Sequence, residues 1–377
     1  MNILFVHPVL SNQGGAQLSY YWLVKGLALR GHRMTYATLR DPRTIAPELS
    51  NLGISVVMMD ESSEIPSILK LAEKADLIMT GNFPATLWVG LAKEKSSTFP
   101  PVICNATEPP RQLYEEELSP HFLGSRLDPK FYFPWSHRLR RKRNAQEVLL
   151  DQKTVRSLDK IFAISDYVGT LIHKVYQRSA VVIPLGVGDI APEAPQFSEG
   201  PFTFLAPAGL EPIKNFETVI KAFSRLGNSS ARLVLTGDGY WRKKAEKLAE
   251  RFGIKKLIRF AGWVDRDQLK DFYCSCHAVI YVPLDEPFGL VACEAGLFGK
   301  PSIVTNHAGP AEIVQDGITG IQVDPFNESL ISKQMNCLLH DRDLSYRLGS
   351  AAQKRIQSSF NYDTYLDKFE SLLPARG

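Results

Sequence analysis

The residues best placed to do chemistry lie in Pro283-Leu284-Asp285-Glu286-Pro287-Phe288-Gly289-Leu290-Val291-Ala292-Cys293-Glu294-Ala295-Gly296. The apolar run Ala278-Val279-Ile280-Tyr281-Val282 ends just before this stretch, and small, helix-compatible residues begin inside it. The pattern predicts a strand, a tight loop and a helix starting near Leu290. Gly289 lets the backbone come close to a ligand. The free N–H groups at such a helix start favour an anion. Glu286 in the loop and Glu294, two turns into the expected helix, bracket that position. An anion nest between two fixed carboxylates suits a ligand with both phosphate and hydroxyls, such as a nucleotide sugar. The same residues also suit an ordinary strand-loop-helix of an α/β sheet with surface acids.

Other stretches repeat this design. In Ala208-Gly209-Leu210-Glu211-Pro212-Ile213-Lys214-Asn215, Lys214 stands at a helix entrance, where a point charge adds to the helix dipole at a diphosphate. Thr236-Gly237-Asp238-Gly239 is a strand-end glycine turn that either approaches a ligand or simply turns the chain. Asp265-Arg266-Asp267 spells a two-acid metal motif, but the position favours a helix cap. Cys274, Cys276 and His277 have no second ligand pair at zinc-site spacing, so they read as buried thiols at a helix end. No metal site is expected. In the first half, Gly14-Gly15 marks a loop-to-helix junction where N–H groups can face an anion, or a tight turn. Glu108-Pro109-Pro110-Arg111 follows a strand directly, which puts Glu108 and Arg111 where open α/β sheets bind ligands. The alternative is a stiff loop with a surface ion pair. Residues 131–143 combine four aromatics with five cations and read either as a membrane-surface contact or as a solvated helix face.

The elements that must position these residues follow an α/β rhythm. In the first half, strands are expected at 3–6, 33–38, 55–59, 77–79, 102–104 and 160–164, with a long helix from Ala16 to Arg30. In the second they are expected at 202–206, 232–236, 258–261, 278–282, 302–305 and 320–323, and the chain is helical from Leu344 to Leu373. Prolines across 191–201 mark a linker. With 377 residues, 44% hydrophobic and 22% charged, the chain is ordinary for a globular protein of two or more domains. A net charge of +4 does not argue for nucleic acid but suits an anionic ligand or membrane surface. No apolar run is long enough for a membrane span, no leader is read, and five cysteines fit a reducing cytoplasm.

The spacing from Glu286 to Glu294 with Phe288-Gly289 between resembles the motif of the retaining glycosyltransferases of family four (glycosyl transferases group 1). Gly299-Lys300-Pro301-Ser302-Ile303-Val304 and the stretch from Gly309 to Gly320 look like that family's continuation. Gly14-Gly15-Ala16-Gln17 resembles its N-terminal glycine-rich loop, with Gln17 where an acid is commoner. The resemblance covers nearly the whole chain and is strongest over 278–323. It implies an α/β GT-B fold, two Rossmann-like doubly wound parallel-sheet domains facing across a cleft. The acceptor-side domain would be 1–190, the nucleotide-sugar-binding domain 191–355, and 356–377 a helix crossing back.

By this resemblance the protein moves a sugar from a nucleoside diphosphate donor to a hydroxyl, with retention and without metal or cofactor. Glu294 would hold the ribose and Glu286 would face the sugar. Lys214 would stabilise the departing diphosphate with the N–H groups around Phe288, Gly289, Leu290 and Val291. Gly209, Gly237 and Trp263 would line the donor, and Gly14, Gly15, Glu108 and Arg111 the acceptor or cleft. The acceptor would be a glycan or lipid-linked, met in the cytoplasm or at the inner membrane face through 131–143. One departure stands out: Gly209 occupies the arginine position of the family pattern Gly-Arg-Leu-x-x-x-Lys. It keeps open a degenerate nucleotide-sugar-binding protein; a GT-B nucleotide-sugar epimerase is the other alternative.

Overall fold

The computed structural model describes residues 1–12, 14–42, 44–119, 136–188, 200–227, 230–239 and 241–374; for 116 and 136–144 it describes the backbone. The chain forms two compact units. One holds the described residues within Met1–Leu118, Arg126–Leu185 and Tyr365–Gly377; the other holds those within Ser119–Ser125 and Gly186–Thr364.

The first unit is a parallel sheet of β1 (Asn2–Val6), β2 (Arg33–Thr38), β3 (Ser55–Met58), β4 (Leu77–Thr80), β5 (Val102–Ala106), β6 (Lys160–Ala163) and β7 (Val181–Val182). Their spatial order is β3-β2-β1-β4-β5-β6-β7. Every residue of β4 and β5 is buried. That burial is why these strands read as unbroken apolar runs rather than alternating ones. The order reverses between β1 and β4. Connections leaving those two strands part to opposite faces and open a crevice at their carboxyl ends. The long helix after β1 spans Gly15–Leu29, one residue earlier than the sequence suggests. Residues 112–159 contain no strand among the described residues. Helices Arg111–Leu118 and Ser136–Arg156 lie there, and Asp166–Tyr176 follows. Asp151 ties these three helices together: its Oδ2 accepts from the hydroxyls of Tyr114 at 2.8 Å and Tyr176 at 2.9 Å.

The second unit repeats the plan with β8 (Thr203–Pro207), β9 (Arg232–Thr236), β10 (Ile258–Gly262), β11 (Ala278–Tyr281), β12 (Ser302–Thr305) and β13 (Ile321–Val323), all parallel, in the order β10-β9-β8-β11-β12-β13. The reversal here falls between β8 and β11. Phe202, Phe204, Leu233, Leu235, Ile280 and Ile303 belong to one buried core with Val219, Ile220, Ile331 and Met335 from the flanking helices.

The C-terminal stretch is two helices, Arg342–Ser359 and Tyr362–Ser371, not one. Asn361 makes the break: its Oδ1 accepts from the N–H groups of Asp363 at 2.8 Å and Thr364 at 3.2 Å, which starts a new helix. The Phe360 carbonyl, released from the first helix, accepts from Val187 N–H at 2.8 Å. The end of the last helix packs on the first unit. Arg30 Nη1 lies 2.5 Å from Asp367 and 2.7 Å from Glu370, and His32 Nε2 lies 2.8 Å from Glu370.

Candidate functional site

Two loops at the β8/β11 reversal carry the charged residues. Leu284 N–H donates to Ile213 C=O at 2.8 Å, which ties one loop to the other. Asn215, in the left-handed region at φ 57, donates from Nδ2 to Val282 C=O at 3.1 Å and Pro325 C=O at 2.8 Å. This scaffold brings Lys214 Nζ to 2.6 Å from Glu286 Oε2. The two side chains are 23% and 18% exposed. The pair is therefore less screened than a surface ion pair and still open to a ligand. Tyr281, which ends β11, stands beside the pair, with its ring centre 6.0 Å from Lys214 Nζ. Burial, reinforced by the Glu286 charge, pushes the Tyr281 hydroxyl up and keeps it a donor.

The helix after the loop spans Leu290–Leu297, so the expected start at Leu290 is where the structure has it. Gly289 sits before it at φ 105, and a Cβ there would come within 2.9 Å of Pro310. No L side chain fits that conformation or that space. The first N–H groups of the helix have no intrahelical acceptor. Glu294 is its fifth residue, just over one turn in and not two. It is 8% exposed, and its Oε2 accepts from the Tyr273 hydroxyl at 2.8 Å. Burial raises its pKa, opposed by the Tyr273 hydrogen bond and the Arg266 charge.

The remaining residues of this unit divide into those with an open face and those used by the fold. Gly209 has no left-handed backbone, and a Cβ there would meet only Asp238 C=O at 3.6 Å, an ordinary contact. A Cβ at 209 is excluded by neither backbone nor space. Gly237 is the opposite. It lies at φ 86, a Cβ would come within 2.2 Å of Ala208 C=O, and its N–H donates to Gly262 C=O at 2.6 Å. Its turn packs the loops after β8 and β9 together. Trp263, just past β10, is 56% exposed. Asp265 caps the helix Arg266–Ser275 in a capping box: its Oδ1 accepts from Gln268 N–H at 2.8 Å, and Gln268 Oε1 accepts from Asp265 N–H at 3.0 Å. Asp267 pairs with Lys270 at 3.2 Å. Cys276 is buried at that helix's C-terminal end, and its carbonyl and that of Cys274 accept from Lys300 Nζ at 2.8 and 3.0 Å.

The first unit's reversal, β1/β4, gathers neutral groups. His7 follows β1, Asn82 follows β4 and Thr107 follows β5. Thr107 N–H donates to Asn82 Oδ1 at 3.0 Å, Asn82 Nδ2 bonds Thr107 Oγ1, and Asn82 N–H donates to the Tyr20 hydroxyl at 3.1 Å. His7 Nδ1 lies 2.8 Å from Val9 C=O, and its ring lies 4.8 Å from that of Tyr20. Burial lowers the His7 pKa to about 4, so the imidazole is neutral at physiological pH. Glu108 and Arg111 pair with each other, Nη2 to Oε2 at 2.8 Å and Nε to Oε2 at 2.9 Å. Gly14 stands before the helix Gly15–Leu29 at φ 81, at the loop-to-helix junction.

The aromatic part of 131–143 lies outside the described residues, as does most of the proline-bearing linker; from Ser136 the backbone is helical. No described helix is long and apolar enough to cross a membrane. Tyr281, Tyr273 and the His7–Asn82–Thr107 cluster had no place in the motif reading. Tyr281 carried one signal, a polar-tipped residue ending a buried apolar strand. Tyr273 carried none, because its partner is 21 residues away.

The model of the family described as glycosyl transferases group 1 matches residues 189–355. An uncharacterized glycosyltransferase of Methanocaldococcus jannaschii is 32% identical over 151 residues, 40% of this chain and 39% of the relative. The lipopolysaccharide core biosynthesis glycosyltransferase LpsE of Rhizobium meliloti is 29% identical over 163 residues, 43% of this chain and 47% of the relative. The chain thus spans less than half the length of these curated relatives. Among solved structures, Anabaena HepE in complex with UDP and glucose superposes with a TM-score of 0.78, at 20% identity, covering 98% of both chains. That likeness shows the fold: parallel-sheet α/β units of seven and six strands, of the GT-B glycosyltransferase type.

Proposed function

We propose that this protein transfers a sugar from a nucleoside diphosphate donor to a hydroxyl of a glycan or lipid-linked acceptor, with retention and without a metal ion. The observation that carries this reading is the Lys214–Glu286 pair, 2.6 Å apart beside the start of the helix Leu290–Leu297. A cation and an anion stand where a ligand with both a phosphate and a developing positive centre would need them. In the reaction the bond from the anomeric carbon to the diphosphate breaks, and its electron pair leaves with the phosphate oxygen. Lys214 and the helix N–H groups take up that charge. Glu286 faces the sugar as positive charge grows on it. The acceptor oxygen forms the new bond on the same face, and its proton passes to the departing phosphate. Glu294 holds the ribose through the oxygen that Tyr273 does not use. The family match over 189–355 and the UDP complex of the HepE structure support this reading.

Gly14, Gly15, Glu108 and Arg111 then belong to the acceptor side, and 131–143 to an acceptor at a membrane surface. The test is a panel of uridine, guanosine and adenosine diphosphate sugars. Binding is read by thermal shift, and turnover by release of the diphosphate with and without acceptor and with and without chelator. One donor should stabilise the protein and be consumed when acceptor is present, with chelator making no difference. Donor conversion without acceptor would replace transfer by epimerisation. Binding without turnover would leave a binding protein.

A further inference from the structure

The polar groups at the carboxyl edge of the first sheet divide into three that are turned to one another and one that is not. Thr107 N–H donates to Asn82 Oδ1 at 3.0 Å, and Asn82 Nδ2 bonds Thr107 Oγ1. The Tyr20 hydroxyl takes Asn82 N–H at 3.1 Å and reaches Thr107 Oγ1 at 3.4 Å. His7 is held differently. Its backbone N–H donates to Ala37 C=O at 3.1 Å, and its ring Nδ1 lies 2.8 Å from Val9 C=O. The same carbonyl takes the Tyr36 hydroxyl at 3.3 Å. A carbonyl oxygen only accepts, so Nδ1 carries the ring proton; Val9 N–H, at 3.3 Å from that nitrogen, is the longer contact. Nε2 then holds a bare lone pair, and among the described residues no group donates to it.

The ring also has a place made for it. His7 follows β1 directly and Gly81 follows β4 directly, the two strands between which the order reverses. A Cβ at Gly81 would come within 2.7 Å of His7 Cδ2 and 2.8 Å of the Tyr20 ring. The Gly81 backbone is not left-handed, so space alone demands glycine there. The chain has given up a side chain to seat an imidazole at the mouth of the crevice, where ligands of open α/β sheets bind. Nε2 is the ring atom bonded to Cδ2 and lies at that same mouth. His7 is only 5% exposed, and a buried acceptor without a donor costs stability unless a ligand supplies one. We infer, on the acceptor-side reading of this unit proposed above, that His7 is a specificity-determining residue: its Nε2 accepts a hydrogen bond from one hydroxyl of the sugar acceptor. An acceptor without that hydroxyl leaves the lone pair bare and is selected against. Burial keeps the imidazole neutral, with its pKa lowered to about 4, so the lone pair is present at physiological pH.

Two measurements on the full chain test this. The first is nitrogen NMR on protein carrying isotope-labelled histidine, with the His7 signals identified by their loss in His7→Asn or His7→Gln. At neutral pH Nδ1 should be protonated and Nε2 not; a proton on Nε2 overturns this inference alone. The second is steady-state kinetics with the donor that the panel selects. The acceptor probes are the octyl glycosides of glucose, galactose and mannose and their monodeoxy derivatives. His7→Asn keeps the donation to Val9 C=O but has no atom in place of Nε2. His7→Gln keeps an acceptor there and loses the tie to Val9. His7→Asn should raise the acceptor KM by about 2- to 10-fold, the range for one neutral hydrogen bond, with the donor KM near its wild-type value. His7→Gln should recover part of the loss, whereas a purely structural role would make it at least as harmful. With one monodeoxy probe, wild type and His7→Asn should have equal acceptor KM, because the hydroxyl that His7 holds is missing for both. That same probe should have a raised acceptor KM with the wild type, a result that needs no variant to fold. An acceptor KM unmoved in His7→Asn, or raised equally for every monodeoxy probe, overturns this inference and leaves the proposed transfer standing. A wild-type protein that consumes no donor with any probe overturns the proposed function and this inference with it.

Discussion

The loops after β8 and β11 fill the carboxyl edge of the second sheet with charge: Lys214 on Glu286, and Glu294 under Tyr273. The loops after β1, β4 and β5 fill the corresponding edge of the first sheet with neutral groups, His7, Asn82 and Thr107, beside the Glu108–Arg111 ion pair. The two edges share a topology, a parallel sheet whose order reverses at β1/β4 and at β8/β11. Architecture therefore supplies the crevice, and side chains decide what it is for. Burial makes the contrast sharper. On both edges it disfavours the charged form, which drives His7 down to about 4 and Glu294 up from the ordinary carboxylate value. On one edge the His7 imidazole is held neutral at physiological pH. On the other, a buried acid has been kept despite its cost, which fits a role in binding rather than in stability.

The largest effects should come from the charged edge. Lys214→Ala should lower kcat by about 10²- to 10³-fold, the range for losing one fixed group that stabilises leaving charge. Glu286→Gln should lower kcat strongly while the donor KM changes little. Steady-state kinetics at saturating acceptor decides this; a KM effect in place of a kcat effect would break the contrast between Glu286 and Glu294.

Glu294→Gln should do the reverse. It should raise the donor KM by about 10- to 100-fold, from charge-assisted hydrogen bonds of about 1.5–3 kcal/mol, with kcat largely kept. It should also raise the thermal midpoint at neutral pH. The folded pKa of Glu294 lies above its unfolded value, so its contribution to stability is full below the ordinary carboxylate pKa and is lost as pH rises through the raised one. The gain in midpoint should accordingly vanish when melting is repeated below the ordinary carboxylate range.

His7 tests the neutral edge with the opposite sign. Its folded pKa is depressed from 6.5 to about 4, so its contribution is full above 6.5 and is lost as pH falls through about 4. The contribution is on the order of 3 kcal/mol at 1.36 kcal/mol per pKa unit. His7→Asn, which can still donate to Val9 C=O, should flatten the fall in thermal midpoint between pH 7 and pH 4.5. The smallest effect belongs to the Glu108–Arg111 pair. Arg111→Ala should cost at most about 1 kcal/mol of stability. It should change the acceptor KM by a few-fold and leave the donor KM alone. A loss of donor turnover comparable to that of Lys214→Ala would erase the distinction between the edges.

Much of the charged edge was legible because its residues are local. Glu286, Gly289 and Glu294 lie within one strand-loop-helix, and Gly289 could be picked out as the residue that lets backbone come close to a ligand. Lys214 was legible as a cation at a helix entrance, and Asp265 as a cap. Gly237 was not decided, since a glycine turn beside a ligand and a glycine turn beside Ala208 look the same in one dimension. The C-terminal helix was read as continuous because Asn361 can sit inside a helix or start one. What selects the second is the bond from Val187 to Phe360 C=O, across more than 170 residues.

By itself the sequence determined every strand but β7 and their parallel character, through apolar runs that need both faces covered, and it placed acids, a cation and glycines at strand ends. Only the tertiary structure decided which of these groups meet. Lys214 and Glu286 are 72 residues apart and become an ion pair because Leu284 bonds Ile213 and Asn215 bonds Val282. The bond from Tyr273 to Glu294, and the burial that moves His7 and Glu294 in opposite directions, follow from the surroundings a folded chain provides. A hydrogen bond and a desolvated charge are properties of neighbours in space, and one-dimensional spacing carries them only where space and sequence coincide.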